Sequence, residues 1–201
     1  MHLFSDHSET INLELPNAQV SYYPNLFRPY MTENIFNKLI KEIAWQQDTI
    51  KVFGKDFLQP RLTALYASNT KPYSYSNITM HPQVFTPTLA NIKQTIEQVA
   101  GTSFTTCLCN LYRNGKDSNG WHADDEKELG NNPIIASVSF GATRTFKFRS
   151  KANHKLQHKL ELTSGSLLLM AGATQHYWQH QIPKTTKTIA PRINLTFRII
   201  Q

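Results

Sequence analysis

Behind Thr32 the apolar residues Ile35, Phe36, Leu39, Ile40 and Ile43 recur at helical spacing, which predicts a first helix over about 32–46 with Thr32 as its N-cap. A second helix is signalled at both ends. Thr86 stands as cap, Pro87 occupies the first helical position, Leu89, Ile92, Ile96 and Val99 form the apolar stripe, and Gly101 supplies the stop. After Gly101 the pattern changes to short extended runs at Phe104–Tyr112, Ile134–Phe140, Thr145–Phe148, Leu156–Leu162, Ser166–Met170, Gln175–His180 and Asn194–Ile200. Short β-rich pieces also lie between the helices, in Lys51–Lys55, Leu62–Tyr66 and Tyr73–Ser76, whereas residues 1 to about 20 lack sustained periodicity and read as an arm. Strands without intervening helices indicate an α+β protein in which two helices pack on a β-barrel or jelly roll.

The chain has 201 residues, 40 % of them hydrophobic and 17 % charged, enough for a self-sufficient core in one domain. Its charge is uneven. The first fifty residues hold three basic and six acidic residues, a net −3, so the rest carries +10 of the overall +7. A basic balance of this size makes nucleic acid a candidate partner. The densest stretch is Arg144, Lys147, Arg149, Lys151, Lys155 and Lys159, with no acidic residue from 144 to 159, and it reads as a solvated strand and loop able to touch phosphates. Cys107 and Cys109 are too few for a disulfide framework or a zinc site and suggest a reducing compartment. No run of 18 apolar residues and no signal-like N-terminus is present, so the sequence predicts a cytoplasmic protein without membrane contact.

Candidate chemistry begins at Trp121-His122-Ala123-Asp124, which follows a polar loop. Residues two apart on an extended chain share a face, so His122 and Asp124 can offer an imidazole and a carboxylate to one ion. A distant histidine would complete the two-His-one-carboxylate set that leaves positions open on Fe(II). His180 and His176 compete for that place, and the Gln-His-Gln-Ile-Pro context with a twelve-residue spacing to Arg192 favours His180. Along Arg192–Arg198 the polar residues Arg192, Asn194, Thr196 and Arg198 alternate with Ile193, Leu195 and Phe197, so one strand face holds two guanidiniums, an amide and a hydroxyl. Turned inward, such arginines need anions, and a dicarboxylate such as 2-oxoglutarate supplies two.

Several pieces then fall in order. They are Asn110-Leu111-Tyr112-Arg113 leading into Asp117, Gly120 and His122–Glu126; Ile135–Gly141; Gly165-Ser166-Leu167-Leu168; His180; and Ala190-Pro191-Arg192 through Arg198. In these the chain resembles the AlkB-type Fe(II)- and 2-oxoglutarate-dependent nucleic-acid demethylases, in particular the branch of AlkB homologues 2 and 3. Val52-Phe53-Gly54-Lys55, Pro60-Arg61 and Tyr73–Ser76 are similar to that branch's nucleotide-recognition lid.

The resemblance implies one domain with a double-stranded β-helix core over about 104–200, a lid over about 47–80 and two supporting helices. It further implies that His122, Asp124 and His180 hold iron and act in catalysis, with 2-oxoglutarate and O2 as cosubstrates. Arg192, helped by Tyr112, would pair with the distal carboxylate of 2-oxoglutarate, while Arg198, Asn194 and Asn110 surround its proximal end and Thr196 lines the pocket. Tyr73, Tyr75, Asp125 and Glu126 would receive a flipped base, aromatic faces stacking on it and carboxylates attracting its positive charge. Phe53, beside Gly54 and between Lys51 and Lys55, would be a wedge into the gap left by that base. Lys55 and Arg61 join Arg144, Lys147, Arg149 and Lys151 in the expected substrate contacts.

The expected activity is oxidative removal of N-alkyl groups, as in 1-methyladenine and 3-methylcytosine, from DNA by a monomeric enzyme, releasing succinate, CO2 and formaldehyde. The alternatives are an oxygenase acting on RNA, protein or a small molecule, and a non-catalytic nucleic-acid-binding module. Asn77 stands where related proteins often carry glycine, and the acidic N-terminal arm has no counterpart in the resemblance.

Overall fold

Strand β15 (Arg192–Arg198) lies near the middle of the main sheet, and its alternation organises the molecule. The computed structural model describes residues 10–52, 55–69, 73–75 and 78–200. Among these, the main sheet runs in the order β1 (Ile11–Asn12), β2 (Gln19–Tyr23), β13 (Ser166–Ala171), β10 (Ile135–Gly141), β15, β8 (Thr106–Tyr112) and β5 (Leu62–Ala67). All neighbours are antiparallel. A smaller sheet has the order β12 (Gln157–Leu162), β11 (Arg144–Ser150), β14 (Trp178–Ile182) and β9 (Asn119–His122). The two sheets match the expected jelly roll.

Ile193, Leu195 and Phe197 project from β15 into a core that also takes Leu39, Leu89, Ile92 and Ile96 from the two helices. Each is fully buried, worth roughly 1.5–3 kcal/mol apiece. The opposite face of the main sheet meets the smaller sheet, where Ile135, Leu168 and Met170 pack with Phe146, Phe148 and Trp178. Because side chains alternate across a strand, the polar half of β15 must then sit between the sheets.

Helix α2 (Pro87–Ala100) keeps its expected ends: Thr86 Oγ1 accepts from the Leu89 amide at 3.2 Å, and Gly101 adopts φ +64°. Helix α1 differs, spanning Pro29–Glu42 rather than 32–46. Pro29 starts it because its fixed φ suits the first turn, and the Thr32 hydroxyl donates back to the Pro29 carbonyl at 2.9 Å instead of capping. At the other end Ile43 turns extended, and the amide of Ala44 donates to Tyr66 Oη at 3.1 Å. Gly141 ends β10 at φ +89°, where a Cβ would lie 2.5 Å from the Pro191 carbonyl oxygen and 2.8 Å from the Phe36 ring. That close approach holds helix α1 against the start of β15.

Three further expectations change. Residues 11–20 are not an arm: β1 and β2 extend the main sheet, and Leu13, Leu15 and Val20 are buried. The stretch Gln175–His180 is not one strand, because Thr174–Tyr177 forms a short helix, α3, before β14 begins. Asn119 and Gly120, expected to close the polar loop, already belong to strand β9, which His122 ends as extended chain. In the lid region, β3 (Thr49–Val52) pairs with β4 (Lys55–Leu58), and β6 (Tyr73–Tyr75) with β7 (Ile78–Met80). Phe53, Gly54 and Asn77 lie outside the described residues, as do the side chains of Lys51, Tyr73 and Tyr75.

Candidate active site

His122 and His180 face each other across β9 and β14 in register, with ring centroids 4.2 Å apart. Asp124, two residues past His122 and 1 % exposed, brings Oδ2 to 3.8 Å from His180 Nε2. One ligand atom from each of the three lies within 4.8 Å of the others, a donor set of two imidazoles and one carboxylate that could hold a metal. His176 is exposed on α3, outside this group, because the helical turn points it away.

The donors are held in the forms a metal needs. His122 Nδ1 donates to the Gly120 carbonyl at 2.8 Å, so Nε2 carries the lone pair and accepts from Asn119 Nδ2 at 3.2 Å. Burial, with His122 nearby, pushes His180 down to about 3, and burial also lowers His122, so both rings are neutral at physiological pH. Burial alone would raise Asp124, but the Arg198 guanidinium and the two rings hold it below the usual carboxylate range. Arg198 Nη2 makes the ion pair with Asp124 Oδ1.

A pH dependence follows for the metal-free protein. Between about 6.5 and 3 an unfolded chain protonates at His180 and the folded one does not, so stability rises with pH there and is complete above about 6.5. His122 acts in the same sense, whereas Glu126, raised by burial, acts in the opposite sense above its ordinary value. Thermal midpoints should therefore fall from pH 7 to pH 5 more steeply in the wild type than in His180→Gln. Equal slopes would show that His180 is not the group responsible.

Deeper in the same cavity, Arg192, Asn194, Thr196 and Arg198 enter from β15, and Asn110 and Tyr112 from β8. Arg192 is 1 % exposed, and burial lowers it to about 10, still protonated near neutrality. Its Nη2 donates to Ser139 Oγ at 2.9 Å and the Tyr112 ring lies 5.3 Å away, but Nε and Nη1 find no acceptor among the described residues. A buried cation with two unused donors fits a carboxylate brought in by a ligand. Asn194 donates to Ser137 Oγ at 2.8 Å and accepts from Thr196 Oγ1 at 3.0 Å, which fixes the floor of the cavity.

Two expected outer contacts are corrected. Arg144 is 3 % exposed, and its guanidinium donates to the carbonyls of Asn114, Asp117 and Pro183 at 3.3, 3.0 and 2.7 Å. Arg61 is 4 % exposed and donates to Asn110 Oδ1 at 2.8 Å and to the Ser118 carbonyl at 3.4 Å. Loop carbonyls and a buried amide take up these charges, so neither belongs to a solvated phosphate-binding face. Lys55 is exposed. Lys147 and Arg149 are half-buried, Arg149 lying 4.4 Å over the Trp121 ring and donating to Gln179 Oε1 at 2.9 Å. Lys151 is paired with Asp125 at 2.7 Å. Glu126 has a buried Oε2 without a hydrogen-bond partner among the described residues, and burial raises its carboxyl.

Residues 19–198 match the 2OG-Fe(II) oxygenase superfamily. The chain belongs to that superfamily. This oxygenase is 44 % identical over 192 residues to the alpha-ketoglutarate-dependent dioxygenase alkB homolog 3 of Homo sapiens, covering 91 % of this chain and 66 % of that protein. It is 38 % identical over 188 residues to the DNA oxidative demethylase ALKBH2 of Homo sapiens, covering 89 % and 72 %. The solved structure of OsALKBH1 superposes with a TM-score of 0.68 at 16 % identity, over 94 % of this chain and 99 % of that one, which shows the shared fold. The chain spans 61 % to 66 % of the length of its alkB homolog 3 relatives. The superfamily uses Fe(II), 2-oxoglutarate and O2. No helix among the described residues is long and apolar enough to cross a membrane.

Asn119, Gln175 and the Arg61–Asn110 bond were not legible in advance. Asn119 sits in a stretch rich in turn residues, Gln175 in a stretch read as a strand, and Arg61 carries the same charge as any surface arginine.

Proposed function

We propose that this oxygenase removes N-alkyl groups from bases such as 1-methyladenine and 3-methylcytosine in DNA by direct reversal. The observation that carries the site chemistry is the convergence, in one cavity, of the His122–Asp124–His180 donor set with Arg192, whose Nε and Nη1 lack acceptors among the described residues. The nucleic-acid substrate is supported by the relative named a DNA oxidative demethylase and by the basic balance of the chain.

His122, Asp124 and His180 would hold Fe(II), and Arg192 with Tyr112 would receive the distal carboxylate of 2-oxoglutarate. Asn110, Asn194, Thr196 and Arg198 would shape the rest of the cosubstrate pocket. Together, Fe(II), 2-oxoglutarate and O2 supply an oxidation that places one oxygen atom in succinate and the other on the alkyl carbon. The N-hydroxymethyl product of a methylated base then loses formaldehyde. The chain's part is to keep both imidazoles neutral, fix the carboxylate by Arg198 and keep Arg192 charged.

On the substrate side, Tyr73, Tyr75 and Glu126 would receive the flipped base, and Asp125, tied to Lys151, would hold the adjoining loop. Phe53 would enter the gap in the stack with Gly54 and Lys55 beside it at the substrate, while Lys147 and Arg149 meet phosphate. The enzyme would act as a monomer in the cytoplasm, a reducing compartment in which Cys107 and Cys109 stay buried free thiols.

The test is incubation with Fe(II), 2-oxoglutarate and oligonucleotides carrying 1-methyladenine or 3-methylcytosine, in DNA and in RNA, read by mass spectrometry. Loss of 14 Da per base, as one CH2, matched by succinate and formaldehyde is expected for DNA. Succinate formed with no change in any methylated oligonucleotide would overturn the substrate class.

A further inference from the structure

We infer that Gln175 is a positioning residue for metal binding: it holds the Asp124 backbone so that Asp124 Oδ2 faces the two imidazoles. The inference rests on the reading that His122, Asp124 and His180 hold Fe(II). Asp124 follows the end of β9, in a stretch without regular secondary structure where no ladder partner serves its amide. The partner is a side chain instead, Gln175 Oε1 at 2.9 Å. Both residues are 1 % exposed, so water does not compete for this hydrogen bond.

The Gln175 end is itself anchored. Its neighbour Thr174 donates from Oγ1 to the Ala171 carbonyl at 2.6 Å and accepts from the Gln19 amide at 2.9 Å, fastening helix α3 to strands β13 and β2 of the main sheet. Among the described residues the Gln175 amide nitrogen meets only the Met170 thioether, Nε2 to Sδ at 3.6 Å, a weak acceptor. The acceptor half of the amide is therefore the half that matters.

Asp124 is then gripped twice. Gln175 fixes its amide and Arg198 takes Oδ1, so Oδ2 is the oxygen left toward His180 Nε2, at 3.8 Å. A carboxylate with one oxygen clamped and its backbone fixed offers one oxygen, from one position, to an ion. Loss of the Gln175 contact frees the main chain to rotate, and the ligand set loses its preorganised geometry. Outer partners of metal ligands commonly contribute ~10–100-fold to affinity.

The experiment uses Mn(II) as the probe, titrated by loss of its free-ion EPR signal, on the full chain with thermal midpoints measured alongside. Gln175→Met should weaken Mn(II) binding by about tenfold or more, and Gln175→Glu, which keeps an acceptor at the same reach, should recover it to within about threefold. Wild-type Mn(II) affinity in Gln175→Met would overturn the proposal, as would a lowered midpoint with unchanged affinity, the signature of a merely structural role. Should Gln175→Met not fold, amide hydrogen exchange on the wild type decides: the Asp124 amide should be protected in the metal-free protein, and exchange at the rate of an open loop would overturn the proposal. Asp124→Ala serves as the control. Retained Mn(II) affinity there would sink the metal reading, while the Asp124 amide of the wild type would still report on Gln175.

Discussion

Asp124→Ala is expected to abolish Mn(II) binding and to lower 2-oxoglutarate turnover by at least ~10³-fold, or roughly 4 kcal/mol of transition-state stabilisation. The carboxylate is the one anionic donor of the His122–Asp124–His180 set, and two neutral imidazoles alone hold a divalent ion weakly. Its removal also takes the Arg198 Nη2 partner away at a place where both residues are almost wholly buried. Deleting one side of such a pair costs roughly 3–5 kcal/mol, so the alanine variant should also melt earlier. Asp124→Asn keeps the side-chain volume and an oxygen for Arg198, which separates the two effects: it should stay folded yet lose turnover. Succinate release, Mn(II) titration and melting of both variants decide the matter. Turnover within about tenfold of the wild type in a folded variant would remove Asp124 from the reaction.

The second large effect is expected at Arg192. Arg192→Met should raise the KM for 2-oxoglutarate by ~10²-fold while leaving Mn(II) affinity nearly unchanged, since hydrogen bonds to a charged group contribute about 1.5–3 kcal/mol each and 1.4 kcal/mol is a factor of ten. Arg192 Nη2 is on Ser139, its ring neighbour is Tyr112, and Nε and Nη1 have no acceptor among the described residues. For that reason the substitution should leave stability unchanged or raise it, because a buried charge with unused donors is replaced by an apolar chain of similar length. Arg192→Lys keeps the charge without the planar fork and should fall between the two. An unchanged KM together with a lower melting temperature would make Arg192 a residue of the fold rather than of the cosubstrate site.

The alternation in Arg192–Arg198 was legible because period-two patterning is a property of the backbone: once Ile193, Leu195 and Phe197 face the helices, their neighbours must face the cavity. Helix α2 was equally plain, its cap, first-turn proline and terminal glycine acting through bonds local to the chain. Where tertiary contacts decide, the sequence was silent. Arg61 and Arg144 belong to a basic chain in which nothing local says that carbonyls of distant loops will consume their donors. Thr32 resembled a cap, yet Pro29 starts the helix earlier because its own ring sets φ. A helical turn at Thr174–Tyr177 breaks what looked like a strand, and that turn sends Gln175 inward and His176 outward, deciding between the two candidate histidines in passing.

Strand β15 carries a consequence for how this enzyme can diversify. Inserting or deleting one residue between Arg192 and Arg198 would exchange the faces on one side of the change, turning one guanidinium toward the helix layer and apolar neighbours toward the cavity. Fold and cosubstrate chemistry would be lost in one step, so length variation is forbidden there. The hairpins β3–β4 and β6–β7 pair only with themselves among the described residues. Insertions in them leave the β15 register untouched, and new substrate ranges are expected to arise there first.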